Sequence, residues 1–248
     1  MDNNNRYVYL NFFCIFDNSL NPLFSMIRTF REWFKTLGII RISLVCVIVL
    51  LSIFADPSLS FFSNPHASIE SQLLEKFQQQ IPDRFGSILL IVYQLSGVKV
   101  TGVLVLAILC FFALKRFWSG LICLVVGNLG ILLIVDEILK PWFNRTRPYD
   151  KFILVGGPSF PSGHAAGSVV FYFMSCTLLT SHYPRLRRPL FITSSVWVVL
   201  IWLSTLYSRA HWPSDIIAGA VVGYVWLSFC LAGLTVWDRY LRPKTKQG

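Results

Sequence analysis

The chain has 248 residues, 54% of them hydrophobic and 14% charged, with a mean hydropathy of +0.59. A soluble domain carries about 25% charged residues, so the composition argues against a soluble class and for a membrane class. The formal charge of +10 does not describe a nucleic-acid face. The basic residues lie between apolar runs rather than on one contiguous polar surface, so no nucleic-acid partner is expected. Six cysteines (Cys14, Cys46, Cys110, Cys123, Cys176, Cys230) have no metal-ligand spacing. Five of them lie in apolar runs, where a thiol behaves as a small hydrophobe, so neither a disulfide framework nor a zinc site is expected.

Residues 1–36 are mixed and read as an N-terminal cytoplasmic or interfacial segment. Val8 to Phe16 is apolar but too short to cross a bilayer, and no small-residue cleavage site follows it. Met26 precedes a basic, aromatic approach through Arg28, Arg31, Trp33 and Lys35. A start at Met26 and an interfacial amphipathic segment are both consistent with it. Leu37 to Ala55 has the length of a first span and ends at Asp56-Pro57. Within the polar stretch 56–84, Ser68 to Gln80 places Ile69, Leu73, Leu74 and Phe77 at helical spacing. That pattern predicts a short amphipathic helix on the membrane surface, and a lid or a plain connector fits it as well.

The run from Phe85 to Leu114 is too long for one untilted span and is interrupted at Gly97 and Lys99. Residues 85–96 are read as an interfacial or partly buried helix and 98–114 as the second span. Trp118 to Leu139, Ser162 to Thr180, Pro189 to Tyr207 and Ile216 to Trp237 follow as the third to sixth spans. Residues 238–248 form a basic cytoplasmic tail. The expected fold is all-α: six transmembrane helices over residues 37–237, with an extra interfacial helix before the second span.

Lysine and arginine placement orients the bundle. One side collects Arg28, Arg31, Lys35, Lys115, Arg116, Arg185, Arg187, Arg188, Arg239, Arg242, Lys244 and Lys246. The other has Lys76, Arg84, Lys140, Arg145, Arg147, Lys151 and Arg209. Both termini are therefore expected in the cytoplasm. Three polar islands, at 140–148, 161–164 and 204–215, fall together on the extracytoplasmic face.

The islands hold the chemistry. Lys140 and Arg147 are cations stiffened by Pro141 and Pro148, suited to phosphate oxygens but also routine at span ends. Asp136 lies four residues before Lys140, which points to an ordinary helical ion pair, and Glu137 stands beside it. Pro161-Ser162-Gly163-His164 opens a span. There a serine cap and a glycine leave helix N–H groups open to an anion, with a titratable imidazole beside it. His211 and Asp215, four apart, pair an imidazole with a carboxylate that fixes its tautomer. Two histidines at one face suggest a nucleophile and an acid. His66 and His182 lack such neighbours and read as ordinary polar residues. The sequon Asn144-Arg145-Thr146 lies beside the proposed phosphate site and reads as coincidence.

Lys140, six residues, Arg147-Pro148, then Pro161-Ser162-Gly163-His164, then His211, three residues, Asp215 resembles the type 2 phosphatidic acid phosphatase family, over roughly residues 85–235. The family includes undecaprenyl-diphosphate and lipid A phosphatases and shares its site with vanadium haloperoxidases. The resemblance implies a hydrolase that needs neither metal nor other cofactor. His211 would be the nucleophile forming a phosphohistidine, oriented by Asp215, and His164 would protonate the leaving group. Lys140, Arg147, Ser162 and Gly163 would hold the phosphate.

The third motif departs from the family's Ser-Arg pair: Ser204 is followed by Thr205, and the nearest arginine is Arg209. If the fifth helix reaches that far, residues 205 and 209 share a face and Arg209 supplies the cation from one turn nearer His211. The alternative is an altered phosphate site. The leading expectation is a multi-pass phosphatase of a bacterial inner membrane, acting from the extracytoplasmic face on a lipid phosphate or diphosphate. Undecaprenyl diphosphate is the favoured substrate, by family analogy. A lipid phosphotransferase and a lipid A or phosphatidylglycerol phosphate phosphatase share the same half-reaction. A non-catalytic lipid-phosphate binder is the contrasting class. Expected partners are the lipid substrate and the bilayer, with no oligomeric state assigned.

Overall fold

The structure is a computed structural model that describes residues 69–238. The N-terminal segment, the start at Met26, the span from Leu37 to Ala55 and nearly all of the basic tail lie outside the described residues. Among the described residues every regular element is helical. Helix α1 is Ile69–Gln80, α2 Asp83–Leu95 and α3 Val98–Leu114. Helix α4 runs Trp118–Phe143, and α5 runs from Gly163 to His182 as three abutting segments. Helix α6 is Arg187–Tyr207 and α7 Pro213–Val236. Each expected span beyond residue 69 is thus a helix. Among the described residues three helices, Trp118–Phe143, Pro184–Tyr207 and Pro213–Thr235, are long and apolar enough to cross a membrane. The α2–α3 pair passes the same test as a unit bent by 55°. The bend falls at Ser96-Gly97, where the sequence places the interruption.

Helix α5 is the buried centre. Ala166, Val170, Met174 and Leu178 are nearly inaccessible and pack among Leu124, Ile131 and Val135 of α4, Val198 of α6 and Val222 of α7. A helix enclosed by protein tolerates the glycine, serine and threonine of this segment, because its neighbours screen it from lipid. Large apolar side chains on the outer faces, such as Ile122, Val126 and Leu129, are exposed, as a lipid-facing surface requires.

Two glycines set the approach of α7 to α5. A methyl group on Gly219 would fall 2.4 Å from the Ser162 carbonyl oxygen, and one on Gly223 would fall 2.6 Å from that of Ala166. Both contacts are with backbone, so only residues without a Cβ allow this spacing.

Two helix boundaries differ from the sequence expectation by more than about two residues. Helix α4 passes Leu139 and continues through Pro141 to Phe143, with a widened π-helical segment at Leu133–Leu139 just before the proline. Such a turn accommodates the lost N–H and the crowded carbonyl of a helical proline. Asn144, at φ 41°, then ends the helix. Helix α7 begins at Pro213 rather than Ile216, since proline suits a first helical position and Asp215 accepts from the Trp212 N–H at 2.9 Å.

Candidate active site

The start of α7 holds the first part of the site. His211 lies in the short connection between α6 and α7 and is buried, at 2% exposure. Its Nδ1 faces Oδ2 of Asp215 at 3.5 Å, an electrostatic contact that falls short of a hydrogen bond. With Nδ1 facing the carboxylate, Nε2 is the nitrogen left for chemistry. Burial holds the His211 imidazole below its ordinary pKa, and Asp215 opposes that shift. The ring is therefore neutral at neutral pH, the state a nucleophile needs.

Asp215 is fully buried, and it too is held in place. Its Oδ1 accepts from the Arg145 guanidinium at 2.6 Å. Arg145 also donates to Ser214 Oγ at 2.7 Å and forms an ion pair with Glu70 of α1. Its guanidinium carbon lies 5.5 Å over the Trp212 ring. Glu70 Oε1 in turn accepts from the Ser214 N–H at 2.9 Å. One buried cation thus balances half the charge of two buried carboxylates, and the N–H groups of Trp212 and Ser214 donate to their other oxygens.

The start of α5 faces this assembly. Ser162 Oγ accepts from the Ala165 N–H at 3.3 Å, and the Ser162 N–H donates to the Asp215 carbonyl at 2.9 Å. The two helix starts are therefore tied by backbone. His164 and His211 have ring centroids 6.3 Å apart. Tyr93 of α2 stacks on His164 at 4.9 Å. His164 Nε2 is buried and has no hydrogen-bond partner among the described residues.

The cations arrive from α4 and the loop that follows. Lys140 Nζ pairs with Asp136 Oδ1 at 2.5 Å, as their spacing implies. That pairing holds the ammonium 3.8 Å from where a Cβ on Gly163 would lie. Arg147 grips the loop: Nε donates to the carbonyls of Gly156 and Gly157, and its terminal nitrogens donate to Ala210 at 2.7 Å and Pro158 at 3.1 Å. Since a guanidinium has five N–H groups, one on each terminal nitrogen remains for an anion. Gripping Ala210 also fixes the residue before His211.

Arg209 requires a correction. Helix α6 ends at Tyr207, and Arg209 has φ 54°, so residues 205 and 209 do not share a helical face. Its guanidinium donates to Gln78 Oε1 at 2.8 Å and lies 3.8 Å from Asp150. Thr205 is buried and donates its hydroxyl to the Trp202 carbonyl at 2.8 Å. The structure thus brings together His164, His211, Asp215, Lys140, Arg147, Ser162 and Gly163, while Arg209 is committed to α1 and the loop at Asp150. Sequence reasoning missed Glu70, Arg145 and Tyr93. Arg145 had a signal, its place inside the first island. Glu70 and Tyr93 had none, because their partners lie far along the chain.

This arrangement can hold a tetrahedral oxyanion at the start of α5 between a neutral imidazole and an opposed second imidazole. The chain is also similar to known proteins. A family model described as PAP2 superfamily matches residues 120–238. The chain is 29% identical over 137 residues to phosphatidylglycerophosphatase B of Bacillus subtilis (strain 168), covering 54% of this chain and 66% of that protein. It is 32% identical over 106 residues to undecaprenyl-diphosphatase of Sulfolobus acidocaldarius, covering 40% of this chain and 48% of that protein. The chain spans less than two thirds of the length of either relative. The fold is similar to the crystal structure of a transmembrane PAP2 type phosphatidylglycerolphosphate phosphatase from Bacillus subtilis, with a TM-score of 0.68 and 21% identity. That match covers 82% of this chain and 98% of the other. The helices that bear the paired histidines therefore lie within a PAP2 superfamily domain that spans residues 120–238.

Proposed function

We propose that the chain is an integral membrane phosphatase acting on a lipid phosphate or diphosphate. The observation that carries this reading is the opposition of His211 and His164, at 6.3 Å between ring centroids, beside the Ser162-Gly163 helix start. His211 Nε2 attacks phosphorus as the bond to the leaving oxygen breaks, and His164 gives that oxygen a proton. Water then attacks the phosphohistidine and gives a proton to His164 as the P–N bond breaks, releasing inorganic phosphate. Lys140, the free N–H groups of Arg147 and the start of α5 neutralise the phosphoryl oxygens throughout. Asp215 supports the charge that forms on His211.

The bundle is proposed to have six spans with an interfacial helix before the second, lying in a bacterial inner membrane with the site on the extracytoplasmic face. The lysine and arginine distribution supports that orientation. The proposed domain limits are 1–36, 37–237 and 238–248. Undecaprenyl diphosphate is the proposed substrate. Phosphatidylglycerol phosphate is the second reading, supported by the name of one relative and of the structural neighbour. The test is phosphate release from each lipid by purified protein in EDTA, with His211→Ala as control. Release that persists in EDTA and vanishes in the variant is expected. Binding without release from any lipid or acceptor would favour the non-catalytic reading.

A further inference from the structure

We infer that Glu70, on the amphipathic helix α1, is a positioning residue for His211, acting through Arg145 and Asp215. The inference rests on the phosphatase reading for its kinetic consequences and on geometry for the rest. Glu70 is 4% exposed, although it lies in the first turn of a helix whose other residues are largely polar. A carboxylate is buried to that degree only when it is paired. Glu70 has two partners: Arg145, which also holds Asp215, and the Ser214 N–H in the first turn of α7. It therefore anchors both the cation behind Asp215 and the backbone that carries Asp215.

The electrostatic consequence has a definite sign. His211 faces Asp215 of α7, Lys140 of α4, Arg147 of the loop and His164 of α5. Beyond these, Asp136 pairs with Lys140, Tyr93 stacks on His164, and Arg209 of the same connection is engaged by Gln78 and Asp150. Arg145 stands behind Asp215, and Glu70 behind Arg145. While Glu70 is ionised it takes up part of the Arg145 charge, leaving Asp215 free to support a cation on His211. Neutralising Glu70 turns the whole guanidinium charge toward Asp215 and makes protonation of His211 harder. A helix that merely docks has the opposite effect. Loosening it admits water to His211 and moves its pKa up, toward the ordinary imidazole value.

The experiment compares wild type, Glu70→Gln and Glu70→Asp in phosphate release across pH. Glu70→Gln is expected to lower kcat about ten- to a hundredfold, the span of one charge-assisted hydrogen bond, with KM little changed. Its acidic limb should move to lower pH. Glu70→Asp keeps the charge but withdraws it by one methylene, so its values should fall between the other two. If Glu70→Gln does not fold, the direction of the shift in Glu70→Asp decides. An acidic limb that stays put or moves up, an unchanged kcat, or an aspartate variant no better than glutamine overturns the inference. If wild type releases phosphate from no lipid tested, the phosphatase reading fails. The titration of His211, followed by 15N NMR of histidine-labelled protein, then decides the positioning role by the same signs.

Discussion

The contact between α5 and α7 admits a sharp test at Gly219. An alanine there places its methyl 2.4 Å from the Ser162 carbonyl oxygen and 3.1 Å from the Ala165 Cβ. The first contact is with backbone that caps α5, so no side chain can rotate away, and the helices must part or tilt. Overpacking of this kind costs about 1–3 kcal/mol. The exchange also gains helix propensity, roughly 1 kcal/mol in water, which complicates a reading from one variant. Gly233, on the same helix, has nothing within 4 Å of a built Cβ. Gly233→Ala therefore reports propensity alone, and the difference between the two isolates the contact. By thermal unfolding in detergent, Gly219→Ala is expected to melt a few degrees below Gly233→Ala. Because the Ser162 N–H is bonded to the Asp215 carbonyl, the same displacement shifts both helix starts. Phosphate release should fall at least tenfold, since misplacement of about 1 Å at a reacting centre costs on the order of a hundredfold. If Gly219→Ala matches Gly233→Ala in both melting and turnover, close helix approach is not what holds the site together.

Two other outcomes follow from the geometry. Burial lowers the pKa of His211 below its ordinary value, so the acidic limb of kcat/KM should lie below the free-imidazole value near ~6.5. Because the folded pKa is the depressed one, the linked stability is present above the ordinary value and is lost as pH falls through it toward the folded one. Melting curves from neutral pH down should show that direction, and an acidic limb at or above the ordinary value would contradict it. Arg209→Ala should keep activity within a few-fold of wild type, because its guanidinium ties Gln78 and Asp150. Lys140→Ala and Arg147→Ala should lose activity by tenfold or more, the scale of a charged hydrogen bond. A loss with Arg209→Ala as deep as theirs would return it to the phosphate site.

Helix existence was legible for a simple reason: long apolar runs bounded by prolines and basic residues leave the backbone no other way to satisfy its polar groups in lipid. The break at Gly97, the Asp136–Lys140 pair and the Ser162 cap were legible too, because each depends on neighbours within about one turn. The passage of α4 through Pro141 was not, since a π-helical segment depends on how the helix is held and not on proline alone. The end of α6 at Tyr207 agrees with the expected limit of the fifth span, but the left-handed turn at Arg209, and with it the direction of that side chain, was hidden.

By itself the sequence determined the membrane class, the order of helices and the residue types that meet a phosphate, because these follow from hydropathy and from short motifs. Only the tertiary structure decided which charges share a site. Glu70 reaches Arg145 across 75 positions and Ser214 across 144, and Arg145 reaches Asp215 across 70. No local pattern specifies such pairs. They form because α1 and the loop after α4 pack against the start of α7, and buried charges persist only when each meets its opposite.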